Sequence, residues 1–201
     1  MGTSQSLPPA LADRLVPAVL DLFSAQDFHL VNVREIYKES GVSPSTIYRY
    51  FDTKEDLVFY VLSEKMKEIA VEVRDQIQGV DDTREMMRRV FWGTLDYYDR
   101  NPGVAVTAFI TIPLRSWMRS TSYTETARDV NDIIGHVYAH GMAHGDIDPA
   151  IRADDITDQY FMNCYRQIHT WHFHGMQKSL TSQVDRFFPL VWKVMSRCEP
   201  S

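Results

Sequence analysis

Apolar side chains in this chain recur at intervals of three and four, the spacing of successive helical faces. No segment alternates convincingly with the period of two that marks a strand. From about Pro8 to Ala25, Leu11, Leu15, Val16, Val19, Leu22 and Phe23 share one broad face. Pro17 in the middle of that stretch predicts a kink or a late start, because it removes a hydrogen bond and crowds the carbonyl of Asp13. A short helix is expected over Val33 to Ser40, with Asn32 as its cap, Glu35 at capping-box spacing and Gly41 as its stop. Ser43 then caps a third helix, expected over Pro44 to Phe51, with Pro44 at the first position, where its missing N–H costs nothing. Asp52-Thr53 opens a long fourth helix, about Lys54 to Gly79, along which Val58, Leu62, Met66, Ile69, Val73 and Ile77 form the stripe. Its first turn holds Glu55 and Asp56, which suit the helix dipole.

Beyond the turn at Gly79 to Asp82 the pattern predicts further helices over Thr83 to Arg100, Val104 to Ile112, Tyr123 to His144, Ala153 to Phe173 and Ser182 to Arg197. The expected fold is all-α, with about nine helices in two parts. Residues 8–54 are expected to form a small N-terminal domain, 54–79 a connector helix, and 80–201 a larger helical domain, the last of which the family resemblance described below implies to serve ligand binding and dimerisation.

Composition narrows the function. The net charge of −6 excludes a protein that coats nucleic acid by bulk positive charge, although it leaves room for a reader that concentrates a few cations on one helix. Cys164 and Cys198 cannot make a disulfide framework, which fits a reducing cytoplasm. No apolar run approaches the ~18 residues of a membrane span, so no membrane partner is expected. The sequence lacks G-x-S-x-G, H-E-x-x-H and a phosphate-binding glycine loop, and no catalytic residue is assigned.

Two short helices joined by a tight turn, the first ended by Gly41 and the second capped by Ser43, fit a helix-turn-helix. Val33, Ile36, Val42, Ile47 and Phe51 supply its small core. Ser43, Pro44, Ser45, Thr46, Tyr48, Arg49 and Tyr50 then face outward. Hydroxyls and arginine reach base edges or phosphates, and helix N-terminal N–H groups receive phosphate.

The segments Asn32-Val-Arg-Glu-Ile36, Ser40-Gly-Val-Ser43, Thr46-Ile-Tyr-Arg-Tyr-Phe51 and Lys54-Glu-Asp-Leu57 resemble the N-terminal domain of the TetR family of bacterial transcriptional regulators. Leu15-Val16, Ala18-Val19 and Leu22-Phe23 resemble that family's first helix. Four positions depart from it: Asp27 stands for a common Gly, Val31-Asn32 for a Thr pair, and Tyr37 for an Ala. The resemblance implies a homodimer on double-stranded, palindromic operator DNA, acting as a repressor that a small-molecule effector releases. It puts Ser43, Ser45, Thr46, Tyr48, Arg49, Tyr50 and Lys54 at or near DNA. Among them Tyr48 and Lys54 match phosphate-contact positions, while Pro44, Ser45 and Arg49 match positions that read bases. Residues 1–60 carry five basic against eight acidic side chains, so few ionic contacts per half-site and a modest salt dependence are expected.

The C-terminal part is rich in large side chains. Trp92, Tyr98, Phe109, Trp117 and Tyr138, with Arg115 and Asn163 as polar anchors, are the candidate lining of a pocket for a largely apolar or aromatic effector. Core packing is the competing explanation for each of them. Tyr160, Cys164, Ile168 and Trp171, with Phe187, Phe188, Val191 and Met195, make stripes that suit a two-fold four-helix dimer interface or simply close the core. His136, His140 and His144 repeat every four residues on one helix, and His169, His172 and His174 cluster on another. An i, i+4 histidine pair can chelate Zn or Ni, but the three on one helix span about 12 Å, too far for a single ion. No metal or other cofactor is assigned. The rival function is a helical small-molecule or metal-binding protein, sensor or enzyme, that uses these histidines and never meets DNA.

Overall fold

The computed structural model describes residues 7–113 and 121–197, with the side chains of 121–127 left aside. Among the described residues there are nine α-helices and no strand beyond a single bridge, Ile147 to Ser196. They are α1 (Pro9–Ala25), α2 (Val33–Ser40), α3 (Pro44–Tyr48), α4 (Lys54–Ile77), α5 (Thr83–Arg100), α6 (Pro102–Val106), α7 (Thr121–His144), α8 (Ala153–Phe173) and α9 (Val184–Met195). The fold is the all-α one that the periodicity predicts.

Besides shifts of about two residues at some helix ends, four departures from expectation have a local reason. α1 runs unbroken through Pro17, which lies exposed where water can serve the carbonyl of Asp13. α3 stops at Tyr48 rather than Phe51, and the N–H groups of Tyr50 and Phe51 turn back onto the carbonyl of Ile47. The segment expected as one helix over Val104 to Ile112 changes pitch: α6 gives way to a π-helical turn, Thr107–Thr111, closed by Ile112 N–H to the Thr107 carbonyl at 3.1 Å. Thr107 is fully buried and its hydroxyl has no partner. The last helix begins two residues late, after a 3-10 turn at Thr181–Gln183.

The described residues pack as two compact units. Within 1–65 and 103–123, α1 lies on α2 and on the π turn, around Leu15, Val19, Phe23, Phe28, Val31, Ile36, Ile47 and Leu57, all buried. Val33, expected in this core, is only half-buried. Within 66–102 and 124–201, α5 is central and packs on α8 and α9. Phe91 of α5 is fully buried, with ring centroids 5.4 Å from Tyr160, 5.4 Å from Phe187 and 6.0 Å from Phe188. Beside it the hydroxyls of Thr94 and Tyr160 share a buried hydrogen bond of 2.8 Å.

No described helix is long and apolar enough to cross a membrane.

Candidate nucleic-acid interface

In the helix-turn-helix, α2 is capped at both ends and α3 at its start. The Asn32 side chain accepts from the N–H groups of Arg34 (3.0 Å) and Glu35 (3.2 Å), and Glu35 returns a bond to the Asn32 N–H (2.8 Å), a complete capping box. Gly41 ends α2 in the left-handed region, φ 64°, and its N–H reaches the Tyr37 carbonyl at 2.7 Å. Ser40 is buried in the turn: its hydroxyl donates to the Ile36 carbonyl (2.6 Å) and accepts from the Val42 N–H (3.1 Å). Arg14 of α1 closes the same end, donating through Nε to the Ser40 carbonyl at 3.0 Å. A Cβ at Gly41 would stand 2.5 Å from the Arg14 guanidinium, so the absence of a side chain at position 41 leaves that group its place against the turn.

Ser43 caps α3 by accepting from the Thr46 N–H at 3.2 Å, and its hydroxyl lies 2.9 Å from those of both Ser45 and Thr46. This knot of three hydroxyls sits at the start of the helix, with Pro44 at its first turn. Ile47 is the buried residue of α3 and points it inward. The opposite side is open: Tyr48 is 53% exposed, Ser45 and Arg49 are exposed, and Ser43, Pro44, Thr46 and Tyr50 are half-buried. The Arg49 guanidinium lies over the Tyr50 ring at 5.5 Å.

Lys54 has a role the sequence did not show. Its Nζ donates to the carbonyls of Phe28 and Val31, each at 2.8 Å, and lies 4.9 Å from the centre of the Phe28 ring. It therefore holds the loop between α1 and α2, over sequence separations that no local pattern reveals. An ammonium has three donors, and these bonds use two. Two more residues escaped the sequence reading, Arg14 as a clamp and Tyr37 as an exposed aromatic of α2.

This arrangement of capped helix, tight turn and short second helix with an outward hydroxyl-arginine face is matched by the family model for bacterial regulatory proteins of the tetR family over residues 16–61. Over those residues the chain is similar to the TetR family. Its helix-turn-helix is that of a DNA-binding transcriptional regulator. A relative, the HTH-type transcriptional regulator HbdR of Aromatoleum sp. (strain CIB), is 27% identical over 96 residues, 48% of this chain and 42% of that regulator. The match thus spans less than half of that relative. Two solved structures share the fold of this chain at 18% identity. The fatty acid degradation regulator FadR from Bacillus halodurans superposes with a TM-score of 0.81 over 94% of this chain and 97% of its own. The transcriptional regulator FadR from Bacillus subtilis, in complex with stearoyl-CoA, gives 0.78 over 89% and 96%.

The described candidates for an effector pocket differ in exposure and in hydrogen-bond partners. Trp92 lies at the surface, beside Gln76, Glu85, Arg88 and Arg89 in an open cleft of about 540 Å³. Arg88 and Arg89 both bond Glu85, at 2.8 Å each, and hold its carboxyl down at about 2. Tyr98 is buried, its hydroxyl 3.2 Å from the Met66 sulfur, and burial pushes its ionisation far up. Tyr138 donates to the Ile151 carbonyl at 3.2 Å, and Asn163 to the Gln159 carbonyl at 2.8 Å. Phe109 belongs to the other compact unit, in the π turn, half-buried. Arg115 and Trp117 lie outside the described residues.

The stripes read as a dimer interface are mostly interior to the single chain. Tyr160, Cys164 and Ile168 of α8 and Phe187, Phe188, Val191 and Met195 of α9 are all buried, several against Phe91. Burial also pushes the Cys164 thiol up, beyond any reactive range. Trp171 is half-buried with an indole N–H that finds no partner. The same two helices leave other apolar side chains outside: Met162 and Phe173 on α8, Leu190 and Val194 on α9.

Proposed function

We propose that this chain is a homodimeric transcriptional repressor of a bacterial cytoplasm, reading a palindromic operator through α3 and released by a largely apolar effector. The observation that carries the proposal is the outward face of α3 and its C-terminal flank, where Ser45, Tyr48 and the following Arg49 stand clear of the core on a helix fixed at its start by the Ser43 knot. Arg49 and Ser45 read base edges, Pro44 packs against them, and Tyr48, with the Ser43, Thr46 and Tyr50 groups, meets the backbone. Lys54 gives its third N–H to a phosphate while its other two hold the α1–α2 loop. The DNA-binding domain is taken as residues 8–54, with 54–79 the connector and 80–201 the effector and dimer domain.

Two copies meet through the outer faces of α8 and α9. Support comes from Phe173 (83% exposed), Leu190 (69% exposed), Met162 and Val194, which water alone covers in the single chain. For the effector, the fold shared with the B. subtilis regulator seen with stearoyl-CoA favours a long-chain acyl thioester as the first compound to test.

Operator capture from fragmented genomic DNA tests the reading. A specific palindromic fragment is expected, and retention of no fragment above random DNA sinks the proposal. Arg49→Ala is expected to weaken operator binding by about 1–3 kcal/mol and to relax its specificity, whereas Lys54→Ala weakens all sequences alike. Release of the captured fragment by stearoyl-CoA but not by free CoA sharpens the effector assignment.

A further inference from the structure

An open cleft of about 540 Å³ lies between the end of α4 and the start of α5, a size that takes a small-molecule ligand. Every residue that lines it belongs to 66–102, within one compact unit. On one side Glu85 fixes two guanidiniums: it accepts from Arg88 Nε at 2.8 Å and Nη2 at 3.1 Å, and from Arg89 Nε at 2.8 Å. With its carboxyl held at about 2, Glu85 stays ionised at neutral pH and the clamp persists. Arg89 also donates through Nη1 to the Gln76 carbonyl at 3.0 Å. A guanidinium carries five N–H groups, so three on Arg89 remain for a ligand. Asp75 lines the same cleft, exposed, and its carboxylate has no ion pair or hydrogen bond among the described residues. A cation and an anion therefore share one cleft without pairing with each other.

Trp92 adds an aromatic face, 37% exposed, whose indole N–H has no acceptor among the described residues. The next residue, Gly93, is buried in the interior of α5, where glycine weakens a helix. A Cβ on it would collide with Gln76 Oε1 and stand 3.0 Å from the amide carbon. The glycine thus lets the Gln76 side chain lie against α5, and that amide bonds to no described residue. The helix is weaker for this glycine, and in return a polar group is held at the cleft.

These groups select a ligand by charge and shape. A pure anion would meet Asp75, a pure cation would meet the arginines, and an apolar molecule would match only Trp92. A carboxylate and an ammonium on one carbon, next to an aromatic ring, answer all of them. We propose that the cleft binds an aromatic α-amino acid as its zwitterion. Arg89 and the Gln76 amide hold the carboxylate, Asp75 takes the ammonium, and the ring lies on Trp92. Arg88 stays with Glu85 and, at 3.6 Å, with Asp185 of α9. The site needs neither DNA nor the apolar effector, and its test is independent of both.

The experiment titrates L-phenylalanine against the full chain at neutral pH, read by saturation-transfer nuclear magnetic resonance. Saturable binding is expected. Hydrocinnamate, which lacks the ammonium, and phenethylamine, which lacks the carboxylate, each bind about three- to tenfold more weakly, the range for charge contacts open to solvent. L-Alanine, which lacks the ring, does not saturate. Asp75→Asn weakens L-phenylalanine by a similar factor but strengthens hydrocinnamate, because the repulsion is gone. Arg89→Gln does the reverse, weakening both carboxylates and strengthening phenethylamine. Trp92→Ala weakens every ring ligand, and Trp92→Phe restores most of the loss. Gly93→Ala puts a better helix former in α5, so the thermal unfolding midpoint does not fall, yet L-phenylalanine binds more weakly because the Gln76 amide is displaced. A titration that shows no saturable binding of L-phenylalanine overturns the proposal. So does equal binding of the three ring ligands, or L-phenylalanine binding that Asp75→Asn and Trp92→Ala leave unchanged.

Discussion

The turn between α2 and α3 and the interior around Phe91 are held by opposite means. In the turn almost every link is polar and local: Asn32 to Glu35, Ser40 to Ile36 and Val42, Ser43 to Thr46. Around Phe91 the links are aromatic faces from three helices, with one buried polar pair, Thr94 and Tyr160. Directional bonds between near neighbours fix orientation at modest energy, which is what an element that must present a face requires. Undirected burial supplies most of the stability but tolerates rearrangement of which ring touches which.

The comparison is broken most strongly at its apolar end. Phe91→Ala is expected to cost about 3–5 kcal/mol in urea unfolding, since it opens a cavity under three rings. A loss below 1 kcal/mol would mean that the cluster is not the support it looks. Tyr160→Phe tests the one polar pair there. It leaves the Thr94 hydroxyl buried without its partner, at an expected cost of about 1–3 kcal/mol, while the ring packing on Phe91 stays.

At the polar end, Ser43→Ala removes the cap of α3, at about 1 kcal/mol in unfolding. The expected loss in operator affinity, read by fluorescence anisotropy, exceeds what that stability change accounts for, because the helix start is also the presenting end. Equal effects on stability and affinity would make Ser43 an ordinary cap.

The smallest effect concerns Glu85 at the surface cleft. Its folded carboxyl is held at about 2 by hydrogen bonds from Arg88 and Arg89, below the ordinary 4.5. The stabilisation is therefore present above pH 4.5 and is lost as pH falls toward 2. Because the cluster is open to solvent, Glu85→Gln is expected to remove less than about 1 kcal/mol at neutral pH and to flatten the acid limb of the stability curve between those values. An unchanged acid limb would show that the two arginines contribute nothing there.

The same contrast explains what could be read without coordinates. The capping box at Asn32 and Glu35, the stop at Gly41 and the Ser43-Pro44 start are written within four residues of where they act, and all three stand as expected. The Lys54 ammonium bonds carbonyls 26 and 23 residues away, and no periodicity encodes that. The stripe Tyr160, Cys164, Ile168 was legible as a covered face, but a stripe does not say what covers it. The structure covers it from within the chain, through α5. Trp92 and Tyr98 are six residues apart on one helix and still separate completely, one at the surface and one sealed. Aromatic content alone cannot draw a pocket, because burial depends on neighbours distant in sequence.

Gly41 carries an evolutionary corollary. Its left-handed backbone admits asparagine as well as glycine, and a Cβ there would displace only the flexible guanidinium tip of Arg14. A side chain at position 41 therefore costs the grip of Arg14 on the Ser40 carbonyl rather than the turn itself, so a lineage that replaces the glycine loses this reason to keep an arginine at 14.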